Sequence, residues 1–130
     1  MNASKLALGI LAVLGLSLLA APASSAFDWT GTWVGSVDTK AIGVDTITLL
    51  LKKAGPTYTG TINDSLGVID KDAVIAEVKL EGNEISFSFK AMGGSADFVM
   101  KMTVDGDKFA GQLMNKAVGE WGPFESLAKK

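Results

Sequence analysis

Residues 98–106 read FVMKMTVDG, where every second side chain is apolar and the stretch ends in an Asp-Gly pair. Such alternation places apolar side chains on one face of a β-strand, and Asp-Gly is a strong signal for a tight hairpin turn. A second segment of the same kind, Phe109 to Leu113, follows the turn. The stretch therefore predicts an antiparallel hairpin with one apolar face.

The same alternation predicts eight strands in residues 27–130. Their approximate positions are 33–37, 46–52, 57–62, 74–80, 85–90, 98–104, 109–113 and 118–127. In the fourth segment the alternation predicts that Val74 and Ala76 face inward. In the last segment Pro123 favours a strand end, an edge or a bulge, because proline has no N–H for the ladder.

Short and long connections between these strands alternate along the chain. The tight turns are at 54–56, 81–83 and 105–106, and the longer, largely apolar loops are at 39–44, 63–73, 91–95 and 115–117. In an up-and-down meander, alternate connections lie at opposite ends. The sequence therefore predicts an all-β fold: an eight-stranded antiparallel up-and-down β-barrel, closed by the tight turns and open between the long loops. Its charged outer face argues against a transmembrane barrel, whose outward side chains contact lipid.

The predicted inward side chains form layers of different bulk. Large residues are expected at the closed end: Trp33, Leu51, Tyr58, Ile85, Met102 and Phe109. The middle layer contains several glycines, which favours a cavity for one small ligand, although glycine also relieves strain where small barrels coil. The candidate ligand-binding residues are Gly35, Val37, Ile47, Gly60, Ile62, Phe87, Phe89, Phe98, Met100, Gly111, Leu113 and Trp121.

Residues 1–26 have the features of a secretory signal peptide. Lys5 precedes the apolar run Leu6 to Ala21, and Ser24-Ser25-Ala26 matches the small-residue pattern of a cleavage site, as does the earlier Ala21-Pro22-Ala23. The apolar run is shorter than the roughly 20 residues of a membrane-spanning helix. We therefore predict a signal peptide at 1–26, one β-barrel domain at 27–130 that does not span the membrane, and a periplasmic or secreted location.

The composition excludes several kinds of chemistry. The chain has no cysteine, no histidine and no arginine, which excludes disulfides, thiol or histidine catalysis and ordinary zinc sites. A net charge of -2 argues against a nucleic-acid partner. We considered two sets of carboxylates: Asp45, Asp97 and Glu120 for acid–base work, and Asp64, Asp70 and Asp72 for calcium. Neither set matches a known arrangement, so we predict no enzyme activity, no cofactor and no metal site.

Two motifs resemble known barrel families. Gly31-Thr32-Trp33 resembles the Gly-x-Trp signature of lipocalins and their calycin relatives, in which the tryptophan packs across the closed end. The stretch 57–62 is similar to the avidin pattern. The Thr-Asp-Tyr segment and C-terminal helix of lipocalins are missing, and Gly35 and Ile62 stand where avidins hold biotin. The resemblance implies a calycin-like barrel and counts against biotin.

Two functions follow from these features. The first is an exported barrel that binds a small apolar ligand in its interior, indicated by the glycine-rich middle layer and the apolar loops. The second is an envelope interaction or inhibitor protein with a filled core, which acts through its exterior loops. The loop at 63–73 favours the second function, because it places Asp64, Asp70 and Asp72 beside apolar residues. The sequence does not identify a protein partner.

Overall fold

The computed structural model describes residues 27–130, which contain β-strands and no helix. None of the described residues belongs to a helix that could cross a membrane. The predicted signal peptide, residues 1–26, lies outside the described part. The ten strands are β1 (Gly31–Asp38), β2 (Val44–Ala54), β3 (Thr57–Asp64), β4 (Ala73–Val74), β5 (Ala76–Glu81), β6 (Glu84–Ala91), β7 (Ala96–Asp105), β8 (Lys108–Asn115), β9 (Trp121–Pro123) and β10 (Ser126–Lys129).

The strands form two antiparallel sheets of five strands each. The first sheet has the order β10-β1-β2-β3-β4, and the second has the order β5-β6-β7-β8-β9. Most neighbouring strands are also consecutive in the chain, as expected for a meander joined by short hairpins. Apolar side chains from both sheets, such as Leu49 and Phe87, belong to one core. The predicted all-β antiparallel architecture is therefore confirmed.

The prediction of one closed barrel of eight strands is wrong in two respects. The described residues form ten strands, and these strands belong to two sheets and not to one. Two predicted strands, 74–80 and 118–127, are each divided where the chain passes from one sheet to the other. The first is divided at position 75, between β4 and β5. Directly after this point Glu77 has a φ of 54°, and the pairing of β5 with β6 shifts by one residue between Ala76 and Lys79, which is a β-bulge. In the second, β9 ends at Pro123, as the proline suggests.

Backbone hydrogen bonds hold the chain in place at these two corners. Between β4 and β5, the N–H of Ile75 donates to the carbonyl of Gly60 in β3 at 3.1 Å. Between β9 and β10, the N–H of Phe124 donates to Gly111 in β8 at 2.8 Å, and the next N–H, of Glu125, donates to Ser36 in β1 at 2.7 Å. The first corner therefore bonds to the sheet that the chain is leaving. The second corner bonds to both sheets.

The first corner reverses the predicted orientation of its side chains. Ala73 and Ile75 are buried, whereas Val74 and Ala76 point outward, and Val74 is 69% exposed. The alternation is ambiguous here, since this segment is apolar at every position from 73 to 76. The prediction that Val74 and Ala76 face inward is wrong by one residue, and a one-residue shift exchanges the two faces of a strand.

Aromatic side chains fill the end that carries the tight turns. Trp33 lies with its ring centre 5.3 Å from that of Trp29 and 4.8 Å from that of Phe109, and Phe27 completes the cluster. The indole N–H of Trp33 donates to the carbonyl of Trp29 at 2.9 Å, and the N–H of Trp29 donates to the Tyr58 hydroxyl at 2.9 Å. Both indole rings are buried. The predicted position of Trp33 in the bulky end layer is therefore confirmed.

Candidate functional site

A cavity of about 290 Å³ lies between the long loops, at the end of the molecule opposite the aromatic cluster. The strands contribute four apolar side chains to its wall: Val37, Ile47, Phe98 and Leu113. The loops β1–β2, β3–β4 and β6–β7 contribute five more: Ala41, Ile42, Val68, Ile69 and Met92. Three loops that are distant in the sequence thus enclose one apolar space, as the alternation of loop lengths predicts.

The structure separates the twelve predicted site residues into three groups. Four line this cavity, namely Val37, Ile47, Phe98 and Leu113. Seven lie on the strands without lining it: Gly35, Gly60, Ile62, Phe87, Phe89, Met100 and Gly111. Among these, Ile62, Phe87, Phe89 and Met100 are buried in the core. The twelfth residue, Trp121, also lies on a strand, β9, without lining the cavity, and unlike the others it is exposed.

The space beside two of the predicted glycines is filled by side chains of the same protein. A methyl group at Gly35 would overlap the ring of Phe124, and one at Gly111 would lie 3.2 Å from Leu127 and 3.3 Å from Phe124. Gly60 has a different reason for its lack of a side chain, because a methyl group there would overlap the backbone carbonyl of Leu50. These glycines therefore allow close packing, and the open space lies nearer the loops.

The sequence predicts that Trp121 lies near the rim of the interior. The structure instead places Trp121 on the outer surface. It is 37% exposed, and the ammonium group of Lys101 lies 4.6 Å from its ring centre. Phe124 and Leu127 occupy the inner face of this segment instead. The difference arises at the second corner, where the chain changes sheets directly after Pro123.

The acidic residue Asp45 is part of the cavity wall and is only 4% exposed. Its Oδ1 accepts hydrogen bonds from the N–H of Ser65 at 3.0 Å, the hydroxyl of Ser65 at 3.1 Å and the N–H of Leu66 at 3.1 Å. The side chain therefore fixes the start of the β3–β4 loop. The sequence analysis considered Asp45 only for acid–base work, yet it has the same parity in β2 as the buried Ile47 and Leu49. That parity is the signal that could have found it.

Asp64 fixes the same loop from the end of β3. Its two oxygens accept hydrogen bonds from the N–H groups of Val68 at 2.8 Å and Ile69 at 3.1 Å. Burial raises the pKa of the Asp45 carboxyl, and a hydrogen bond with Asp64 together with the negative charge of Asp64 raises it further. Two neighbouring carboxyl groups, from β2 and β3, thus accept hydrogen bonds from the backbone of the β3–β4 loop and fix this part of the cavity wall.

The β3–β4 loop is also bonded to the β6–β7 loop. The N–H of Met92 donates to the carbonyl of Val68 at 2.8 Å, and the N–H of Gly93 donates to Asp70 at 2.7 Å. Ile69 forms an isolated β-bridge with Ala91. These contacts hold two of the three cavity loops together, so the cavity wall does not depend on side-chain packing alone.

The other carboxylates considered for catalysis or calcium binding have different roles. Asp97 forms an ion pair with Lys90 at 2.6 Å on the surface, and Glu120 is exposed. Asp72 accepts a hydrogen bond from the side chain of Asn63 at 3.0 Å. Within residues 27–130, no three acidic side chains are close enough together to hold a metal ion.

Comparisons with protein-family models, curated protein sequences and solved structures find no match to this chain. The resemblance to calycins therefore stays a prediction that rests on Gly31-Thr32-Trp33 and residues 57–62. The arguments about function rest on the geometry of the cavity.

Proposed function

We propose that the protein binds a small apolar molecule in the cavity between its long loops. The observation that carries this proposal is an apolar space of about 290 Å³ whose loops are held together by hydrogen bonds. Ligand pockets in proteins usually have volumes of about 300–1,000 Å³, so this cavity lies at the lower limit of that range and suits a small ligand. A binding role also agrees with a chain that has no histidine, cysteine or arginine for catalysis.

We further propose that the two sheets act together as a calycin-like barrel with one closed end. The hydrogen bonds of Phe124 and Glu125 support this view, because these consecutive residues of one corner bond to β8 of the second sheet and to β1 of the first. The aromatic cluster then closes one end, and the cavity lies at the other. The predicted signal peptide would take this binding protein to the periplasm or the cell exterior.

Titration with the neutral dye N-phenyl-1-naphthylamine tests the proposed function, because its emission increases in apolar sites. The dye's own emission is the appropriate signal, since none of the tryptophans at 29, 33 and 121 is part of the cavity wall. We expect saturable binding to the parent protein. Val68→Trp should fill the cavity and weaken dye binding by about tenfold or more, which corresponds to about 1.4 kcal/mol.

Val118→Trp is the matched control. Val118 is also a loop valine at this end of the molecule, but it is 65% exposed and is not part of the cavity wall. This variant should bind the dye as the parent does. Absence of saturable binding to the parent, or equal losses in both variants, would contradict the proposed function.

Exposed side chains at the same end favour a second candidate function. Four apolar residues around the loops are largely accessible to solvent: Ile42, Val44, Leu66 and Met92. Exposed apolar patches often mark surfaces that bind other proteins. If the parent protein binds no dye, an interaction or inhibitor protein that acts through these loops becomes the better explanation.

A further inference from the structure

The wall of the apolar cavity contains one carboxyl group, that of Asp45, without a positively charged partner in the described part of the chain. Asp45 is 96% removed from solvent, and within residues 27–130 no lysine forms an ion pair with Asp45 or Asp64. Buried charged groups in proteins are normally paired with an opposite charge. The site therefore has a place for a positive charge that the described part of the chain does not supply.

The hydrogen bonds of Asp45 are also one-sided. The donors from Ser65 and Leu66 all bond to Oδ1, and the further hydrogen bond of this carboxyl group in the described range is the one with the carboxyl group of Asp64. The neighbouring acidic group, Asp64, already accepts hydrogen bonds on both of its oxygens. A carboxylate can accept about four hydrogen bonds, so Asp45 retains capacity for a donor.

The other polar side chain of the cavity wall, Thr39, is less able than Asp45 to bind a ligand head group, because its hydroxyl already has two hydrogen bonds. The hydroxyl of Thr39 donates to the carbonyl of Gly43 at 2.7 Å and accepts from the N–H of Ile42 at 3.0 Å. Both interactions lie within the β1–β2 loop. Asp45 is therefore the group of the wall that can orient a polar ligand atom.

We propose that the ligand is a small organic amine, which places its ammonium group on Asp45 and its apolar part against Ile47, Phe98 and Leu113. This inference rests on the proposed function and specifies its ligand class. An apolar wall on the other sides favours an organic cation over a hydrated metal ion. A carboxylate head group, such as that of a fatty acid, would be repelled by Asp45 and Asp64.

Competition against N-phenyl-1-naphthylamine with three six-carbon compounds tests the ligand class. Hexylamine, 1-hexanol and hexanoate have the same chain and differ in the charge of the head group. We expect hexylamine to displace the dye from the parent protein at a concentration about tenfold lower than 1-hexanol, as a hydrogen bond to a charged group implies, and hexanoate to be the weakest competitor.

Asp45→Asn is the matched variant, because asparagine keeps an oxygen for Ser65 and Leu66 but removes the charge. It should lose the preference for hexylamine and retain the affinity for 1-hexanol and the dye. Calcium chloride should not prevent hexylamine binding.

The outcomes separate this inference from the proposed function. If the parent binds no dye, the proposed function fails and the amine proposal fails with it. If the dye binds but 1-hexanol competes as well as hexylamine, the amine proposal alone is overturned. Competition by calcium at millimolar concentration would likewise overturn it in favour of a metal site. The ranking of the three compounds on the parent protein needs no variant, so it holds even if Asp45→Asn fails to fold.

Discussion

The two ends of the molecule are built by different means. The tight-turn end is filled by a cluster of rings around Trp33, and its connections are as short as Gly55-Pro56. The other end has long loops, which are fixed by the carboxyl groups of Asp45, Asp64 and Asp70 and enclose an empty space. Packed rings fill the interior, whereas hydrogen bonds can fix loops around a space without filling it. The tightly packed aromatic cluster and the proposed binding site therefore lie at opposite ends.

The largest effect on stability is expected at the aromatic end. Trp33 is 1% exposed, so Trp33→Ala should lower the free energy of unfolding by about 3–5 kcal/mol through lost burial and a residual cavity. Met92→Ala at the loop end removes a side chain that is 54% exposed and should cost about 0.5 kcal/mol or less. Urea denaturation of the two variants measures the difference. Similar losses would contradict the division between the two ends.

A smaller effect is expected between the ends, where two glycines meet different neighbours. Gly60→Ala places a methyl group against the backbone carbonyl of Leu50, which cannot move without distorting β2, so we expect a cost of about 1–3 kcal/mol. Gly111→Ala places its methyl group 3.2 Å from the end of the Leu127 side chain, which can shift. Urea denaturation should therefore find Gly111→Ala the milder change. The reverse order would mean that the space beside Gly60 is open.

The smallest effect should appear as a dependence on pH at the loop end. Burial raises the pKa of Asp45 above its ordinary value of 3.8, so ionisation of this group opposes folding. The contribution of the protonated Asp45 side chain to the free energy of unfolding is fully present at a pH below the pKa of Asp45 in the unfolded chain. It is lost as the pH rises through the higher pKa of Asp45 in the folded protein. Asp45→Asn does not ionise and keeps the acceptor for Ser65 and Leu66. It should therefore gain stability relative to the parent between acidic and neutral pH.

Urea denaturation of both proteins at pH 3.5 and pH 7 measures this relative change. Gly111→Ala, which neither removes an ionisable group nor places its methyl group against one, is the control and should show the same pH dependence as the parent. A difference between Asp45→Asn and the parent that stays constant with pH would mean that Asp45 ionises normally in the folded protein.

The sequence predicts the regular parts of the fold because local patterns control them. Alternation places Trp33, Leu49 and Phe87 on the inner face, and glycine-containing turns separate the hairpins. The structure differs at the two corners. The bulge at Glu77 depends on a positive φ that the residue type does not indicate, and the apolar residues on both faces before it allow either register.

The location of the cavity could not be predicted in the same way. Val37, Ile47, Phe98 and Leu113, four of the twelve predicted site residues, line the cavity, because the strand register places them near the loops. The paths of the loops themselves depend on hydrogen bonds across long sequence separations, such as that from Gly93 to Asp70. No local pattern encodes such a contact. Likewise, the inward position of Phe124 follows from the second corner and not from the alternation.

The pairing of β1 with β10 has a consequence for the order of folding. Ser36 and Ser126 lie opposite each other with their hydroxyl oxygens 3.1 Å apart, although 90 residues separate them in the chain. Most other pairings join strands that a hairpin already brings together, so they lose little chain entropy on forming. Closing a long loop costs more and slows folding. We therefore expect the hairpins to form early and β10 to dock last, which makes its attachment the late, rate-limiting event of folding.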